Sequence, residues 1–242
     1  GPYGAAVHAI DWATGVLMDE LEAQGLHNDT IVVFTSDNGA LCRPGEGSNA
    51  PLRGKKGRTS DGGIRVPGIV RWPGVIPAGA VCDELLTAMD LLPTLASWAG
   101  TAVPADRVID GRDIAGVLTG DAASPHETFA YYNGTVLEAV RDARYKLRVV
   151  HRSGRDRTII AELFDLRADI GETTDIAAEH PEEVERLQAA ADAFRTELGD
   201  SVLGVKGSAC RPSGRVEGVR PRALLGDEHP MVIAEYDLSD RG

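Results

Sequence analysis

The chain of 242 residues predicts an α/β unit built on a mostly parallel sheet with flanking helices. A smaller α+β unit follows, in which one helix covers an antiparallel sheet. Three observations carry this expectation. Thr30-Ile-Val-Val-Phe-Thr-Ser36 is a short, continuous β-branched and aromatic run without alternation, the pattern of a strand buried on both faces of a parallel sheet. Four short apolar runs after Thr128 are separated by tight turn residues, as in antiparallel hairpins. Pro181-Glu-Glu-Val-Glu-Arg-Leu then opens a helix with acids in its first turn.

Each element has its own signal. Pro2 suits a first helical turn, and Val7, Ile10, Leu17 and Leu21 recur at helical spacing until Gly25, predicting an amphipathic helix. The strand ending at Ser36 and a second, Gly68-Ile-Val-Arg-Trp72, are joined by about 30 residues rich in Gly, Pro, Ser and basic side chains, a length usually tied to function. Asp83 to Met89 is expected as a strand, and Asp90 as the cap of a helix from Leu91 to Trp98, with Pro93 in its first turn and Gly100 after its end. In the second unit the strands are Phe129–Tyr132, Leu137–Arg141, Tyr145–His151 and Ile159–Phe164, and Val184, Leu187, Ala191, Phe194 and Leu198 form the apolar stripe of the covering helix. These patterns place the units at 1–122 and 123–200, with an irregular tail at 201–242 that holds a strand at Met231–Tyr236.

Composition bounds the function. With 43% hydrophobic and 26% charged residues the chain is ordinary globular protein of one or two domains. Its net charge of -12 argues against general nucleic-acid binding, although a local basic cluster can still hold one small anion. No apolar run approaches the roughly 20 residues of a membrane span. Cys42, Cys82 and Cys210 form no C-x-x-C pair, so neither a zinc ribbon nor a disulfide scaffold is encoded, while a single bridge stays open. The chain has no initiator Met and begins within a helical pattern, so it reads as a fragment or processed piece.

Two segments are candidates for chemistry. Ser36-Asp37-Asn38-Gly39 ends a core strand, where ligands gather in α/β sheets, and Asp37 and Asn38 offer hard oxygens suited to Ca²⁺ or Mg²⁺. The same residues also suit a plain turn. Leu52 to Pro67 gathers Arg53, Lys55, Lys56, Arg58 and Arg65 among glycines, a natural seat for an anion and equally the composition of a solvated basic loop. It is no Walker loop.

In this order the segments resemble the sulfatases, metal-dependent sulfate-ester hydrolases of the alkaline phosphatase superfamily. The resemblance rests on Ala13 to Leu26, the Ser36-Asp-Asn-Gly39 strand end, Gly54 to Pro67 with Trp72-Pro-Gly74, Met89-Asp-Leu-Leu-Pro-Thr-Leu95, and Glu162 to Thr173. The loop pattern is Lys-Gly-x-Thr-x-acid-Gly-Gly, and Asp61 stands where Glu is commoner. The resemblance implies an alkaline-phosphatase-like sheet, a divalent cation, usually Ca²⁺, on Asp37 and Asn38, and a sulfate held by Lys56 as the catalytic and substrate-binding lysine, with Lys55 the neighbouring alternative. It implies a small-molecule or carbohydrate sulfate ester as substrate. It also implies a formylglycine nucleophile, made from the Cys or Ser of a C-x-P-x-R or S-x-P-x-R motif upstream of the metal strand. That motif is not in this chain. Cys42-Arg-Pro-Gly-Glu46 and Cys210-Arg-Pro-Ser-Gly214 lack the final Arg and follow the strand, so the chain reads as the C-terminal half of a sulfatase and is expected to be inactive alone. The histidines carry no metal-ligand spacing; His8, His27, His126 and His180 read as structural, and only His151, at a strand end, is a candidate to reach the cleft. The competing readings are a phosphatase, phosphodiesterase or phosphonate hydrolase of the same superfamily, and a noncatalytic glycan-binding or structural module.

Overall fold

Pro2 needs no amide partner at the first turn of a helix, and α1 (Pro2–Ala23) starts there, ending before Gly25, whose φ of 70° stops it. The computed structural model describes residues 1–44 and 46–211. Residues Gly1–Ala209 form one compact unit. The helix is amphipathic in sequence only: none of its residues is buried, and Leu17 stays 66% exposed.

Strand β1 (Val32–Thr35) pairs with β2 (Gly68–Arg71), and the pair is antiparallel, Val32 opposite Arg71 and Thr35 opposite Gly68. Parallel neighbours for β1 are not found among the described residues. It is half-buried rather than enclosed on both faces, and Thr35 is exposed. Trp72 pins the end of β2 in place. Its indole N–H donates to the Asn28 carbonyl at 3.1 Å, and its ring meets Trp98 edge-on at 5.1 Å.

The strand expected at Asp83–Met89 does not form. Its backbone is met by a loop instead of a ladder, since Ser124 Oγ donates to the Leu85 carbonyl at 2.6 Å, and the chain turns into a 3₁₀ turn at Ala88–Asp90. Helix α3 (Leu91–Trp98) has the expected bounds. Asp90 stands at its N-cap position but its side chain makes no capping bond; the buried carboxylate accepts from the Thr87 and Arg112 amides at 2.7 and 2.8 Å and lies 2.8 Å from His126 Nε2. The Thr94 hydroxyl donates to the Asp90 carbonyl and accepts from the Ile114 amide, just before α4 (Ala115–Thr119). The Asp-Leu-Leu-Pro-Thr motif is therefore a joint of the scaffold, and His126 is part of it.

The second half matches its sequence pattern closely. Strands β3 (Phe129–Asn133), β4 (Val136–Arg141), β5 (Tyr145–Ser153) and β6 (Asp156–Asp165) form a meander of antiparallel neighbours, and α5 (Pro181–Leu198) packs on β4 and β5. Leu137, Val140, Leu147, Val149, Leu163, Leu187 and Ala191 make the buried core between sheet and helix. Between Tyr131 and Tyr132 the register against β4 slips by one, leaving Glu138 without a cross-strand partner in a bulge. The strand proposed at Met231–Tyr236 lies outside the described residues.

Lys146 lies at the centre of the other face of the sheet and is fully buried. Its ammonium donates to the Thr59 carbonyl at 2.9 Å, to Asp61 Oδ1 at 2.8 Å and to Glu172 Oε1 at 3.2 Å, and sits 4.3 Å from the Tyr131 ring centroid. Burial, reinforced by the Asp61 charge, pushes the Tyr131 phenol well above its usual range. Removing one member of a buried ion cluster leaves its partners charged and uncompensated. Lys146→Met is therefore expected to lower the unfolding free energy by about 3 to 5 kcal/mol, read from a denaturant midpoint; a loss below about 1 kcal/mol would make the cluster energetically idle.

Besides the fully exposed Asp106, which Arg107 holds low, three carboxylates are held below the usual range. Arg144 does this for Asp165; for Asp142, burial acts upward but the Tyr145 and Arg144 amides and Arg186 outweigh it; for Asp169, burial is likewise outweighed by the Thr174 and Thr173 amides. Groups depressed in the fold stabilise it fully above their unfolded value of 3.8 and lose that contribution as pH falls through the folded value. Melting temperature should thus hold above about pH 5 and fall steeply below about pH 4. Asp165→Asn should flatten that fall.

Candidate functional site

The strand end and the basic loop, far apart in sequence from the small sheet, are joined to each other and to it by hydrogen bonds. Beyond β1 the chain turns at Ser36, whose hydroxyl donates to the Asn38 carbonyl at 3.1 Å. The Gly39 amide then donates to the Gly63 carbonyl at 3.2 Å, and the Lys56 amide to the Ala40 carbonyl at 3.1 Å. A Cβ on Gly39 would lie 1.9 Å from the Gly62 carbonyl oxygen, so only glycine permits this approach.

The loop folds back on itself. Gly62 N–H donates to the Arg53 carbonyl at 2.8 Å, and a short helical turn, α2 (Asp61–Ile64), buries Asp61, Gly62 and Gly63. Its outer side is tied to the small sheet at alternate residues. Arg152 donates to the Gly57 carbonyl; the Thr59 hydroxyl donates to Glu138 Oε2 at 2.7 Å; the Asp61 amide donates to Glu172 Oε1 at 2.7 Å. Arg53 reaches the Glu172 carbonyl at 2.8 Å. Glu172 itself takes φ +51°, a left-handed conformation more natural to glycine, and Asp169 holds that turn by accepting from the Thr173 and Thr174 amides. The net effect is that Asp61 is consumed as a structural anion, with Arg141 3.7 Å from its second oxygen.

Asp37, Asn38 and Lys56, the residues the sequence singles out, have unengaged side chains. Asp37 is exposed, Asn38 half-buried and Lys56 exposed, and no side-chain hydrogen bond or ion pair engages any of the three among the described residues. The backbone brings them together: Lys56 is bonded to Ala40, two residues past Asn38. Lys55 is exposed in the same loop. Asp37 and Asn38 fit part of a hard-cation shell, because an unengaged carboxylate and an amide oxygen sit side by side on a strand end braced by the Gly39 contact. They do not fill one. No group of three or more His, Cys, Asp or Glu suited to a metal occurs among the described residues.

The remaining candidates fall elsewhere. Cys42 is half-buried at φ 53°, its sulfur accepting from Asn49 Nδ2 at 3.2 Å, and Asn49 also bridges both the amide and carbonyl of Ala40. That makes Cys42 and Asn49 a brace for the strand end. His151 is exposed, with Nδ1 3.2 Å from an Arg148 nitrogen. A groove of about 470 Å³ is lined by His126, Arg144, Arg186 and nearby acids, none of them from the strand end or the loop, and these three side chains are already engaged by Asp90, Asp165 and Asp142 respectively. Sequence reasoning missed Glu138, Lys146, Arg152 and Glu172. The available signal was Lys146 itself, one of two charges, with Arg148, that alternate with the apolar residues of Tyr145–Val150.

The chain is similar in sequence and fold to known proteins. The Sulfatase family matches residues 1–101, and the family described as N-sulphoglucosamine sulphohydrolase, C-terminal, matches residues 56–193. Steryl-sulfatase of Rattus norvegicus is 48% identical over 148 residues, 58% of this chain and 26% of that protein. The chain thus spans about a quarter of the length of the curated relatives it matches. Among solved structures, the PsFucS1 sulfatase from Pseudoalteromonas sp. aligns with a TM-score of 0.70 at 26% identity, covering 78% of this chain and 41% of that one. BT4656, solved with its substrate D-glucosamine-2-N,6-O-disulfate, aligns at 0.61 and 25%, covering 78% and 39%. No described helix is long and apolar enough to cross a membrane. Membership implies a metal cofactor of unspecified identity. By fold, motif order and matched residues, this chain belongs to the sulfatase family.

Proposed function

We propose that the protein contributes to hydrolysis of a sulfate ester on a small molecule or carbohydrate, with Asp37 and Asn38 as ligands of a Ca²⁺ ion and Lys56 as the sulfate-binding lysine. The observation that carries this is the Lys56 amide bond to Ala40, which seats the lysine loop on the strand end that bears Asp37 and Asn38. Residues 1–122 then serve as part of the α/β domain and 123–200 as the small domain that steadies the loop. The phosphoryl-transfer alternative is not favoured, since the relatives matched are named sulfatases.

Each residue has a distinct task. Asp37 offers an anionic oxygen and Asn38 a neutral one, so together they hold a dication without cancelling its charge. A cation so held would neutralise sulfate oxygens and stabilise charge as the ester bond breaks. Lys56, exposed and unengaged, can donate charge-assisted hydrogen bonds to another sulfate oxygen. No residue of this chain lies in a formylglycine motif, so the nucleophile is assigned to none of them.

The two adjacent lysines provide the test, because replacing either removes one positive charge from the same loop. In an enzyme reconstituted with the formylglycine-bearing segment of the family, Lys56→Ala should slow turnover of 4-nitrophenyl sulfate by about 10² to 10³. Lys55→Ala should stay near the parent, and both should melt within a few degrees of it. Equal, small effects would leave only a solvated loop; a large effect at Lys55 alone would move the sulfate contact by one residue.

A further inference from the structure

We propose that Arg152, on β5 of the small sheet, is a positioning residue for Lys56, fixing the backbone from which the lysine reaches its anion; this rests on the sulfate-binding assignment of Lys56. Gly57, the next residue, has φ +81°, and a Cβ there would meet nothing within 4 Å. No side-chain contact at Gly57 itself therefore holds the chain, although the flanking Lys55 and Arg58 carbonyls lie against Gly63. Lys56 is instead caught between two tethers. On one side its amide is bonded to the Ala40 carbonyl at 3.1 Å. On the other, the Gly57 carbonyl accepts from Arg152. A local turn bond, Arg58 N–H to the Lys55 carbonyl at 3.0 Å, closes the loop but does not anchor it to anything else.

Arg152 is itself held rigidly, as a positioning group must be. Its Nε lies 3.2 Å from Glu138 Oε1, an ion pair too bent for a hydrogen bond. In the orientation that satisfies its amide, Asn133 accepts from both terminal nitrogens of Arg152, at 2.7 and 3.0 Å. Glu138 in turn accepts from the Thr59 hydroxyl, two residues beyond Gly57. The guanidinium thus spans β3, β4 and the loop through one planar fork, a geometry that lysine cannot reproduce. Lys146, six residues earlier on the same strand, fixes the loop at Thr59 and Asp61, but its loss would unfold the cluster. Arg152 keeps 17% of its side chain exposed and leaves an ion pair nearer the surface, so it separates position from stability.

The test uses the whole 242-residue chain. Amide hydrogen exchange is followed residue by residue, and inorganic sulfate is titrated while the Lys56 side-chain Cε resonance is watched. Arg152→Met should speed exchange at Lys56 by about tenfold, the loss of one hydrogen bond to a charged group. Amides of the β5–β6 ladder should stay within about twofold of the parent. Sulfate affinity at Lys56 should weaken by a similar factor, and Arg152→Lys should restore part of both losses. Arg155→Met, an exposed substitution with the same charge change, should alter neither. Unchanged exchange at Lys56 in Arg152→Met overturns the positioning role. So does a uniform rise across β5 and β6, which would mark a general loss of stability. If Arg152→Met does not fold, Arg152→Lys carries the same exchange comparison. The sulfate arm reports on the reading beneath: a Lys56 resonance blind to sulfate in the parent, or sulfate affinity that survives Lys56→Ala, overturns the sulfate assignment while the exchange result still decides the tether.

Discussion

A single buried ammonium organises this protein. An ammonium has three donor hydrogens and no acceptor, and Lys146 spends all three, on the Thr59 carbonyl, Asp61 and Glu172. Stripping water from a charge costs several kcal/mol, and this cost is offset only while all three partners stay in place. Two of the three belong to the basic loop and the third to the turn after β6. The sheet, the loop and the turn can therefore assemble in one register only. As a contribution to stability such a cluster is modest against an apolar replacement, but as a constraint on geometry it is strong. The loop needs such a constraint. Glycines at 54, 57, 62 and 63 give it little to pack and much conformational entropy to lose.

Asp61 shows how the constraint acts. In sequence it is a shortened version of the acid usual in this loop pattern, and nothing in the pattern tells whether that acid faces the substrate or the scaffold. Its environment does: it is 1% exposed, its backbone amide is held by Glu172 and its carboxylate by Lys146. A longer acid would require the α2 turn to retreat from the sheet by about one methylene, and Gly62 and Gly63 already pack against the carbonyls of Arg53, Lys55 and Arg58. The aspartate and the close backbone packing therefore go together.

Sequence made the small unit legible because its signals are local. Hairpin turns at Asn133-Gly134 and Ser153-Gly154, with Gly134 and Gly154 both at φ 59°, fix strand pairing within a few residues, and the α5 stripe buries Leu187 and Ala191 as its spacing requires. The α/β unit was less legible because its strands depend on distant neighbours. Thr30–Ser36 has the composition of an enclosed strand, yet its described partner is a single antiparallel one, and Asp83–Met89 has strand-like composition but no ladder to join. At the candidate site, motif spacing points to Asp37, Asn38 and Lys56 and gives no sign of the groups that brace the loop. The latter are single charges on different elements, Glu138, Lys146, Arg152 and Glu172, and only folding brings them to the same loop.

The acids of this protein sort by what engages them, and the sorting bears on the site. Asp90 holds two amides and His126; Asp61, Glu138 and Glu172 hold the loop; Asp142, Asp165 and Asp169 each close a turn. An acid with such partners has already exchanged water for fixed donors, and a metal would have to displace them at a cost of one hydrogen bond each, about 1.5 to 3 kcal/mol for a charged group. Asp37 has no such debt. It stands exposed at the end of β1, beside Asn38, on a backbone braced from beneath by Gly62, Gly63 and Asn49. Rigid backbone with unengaged oxygens is the combination that lets a cation bind without first unmaking the fold. Lys56 meets the same condition from the opposite charge, since its main chain is tethered on both sides while its ammonium is left to solvent. The residues proposed for the chemistry are thus those that the fold holds by the backbone and leaves alone at the side chain.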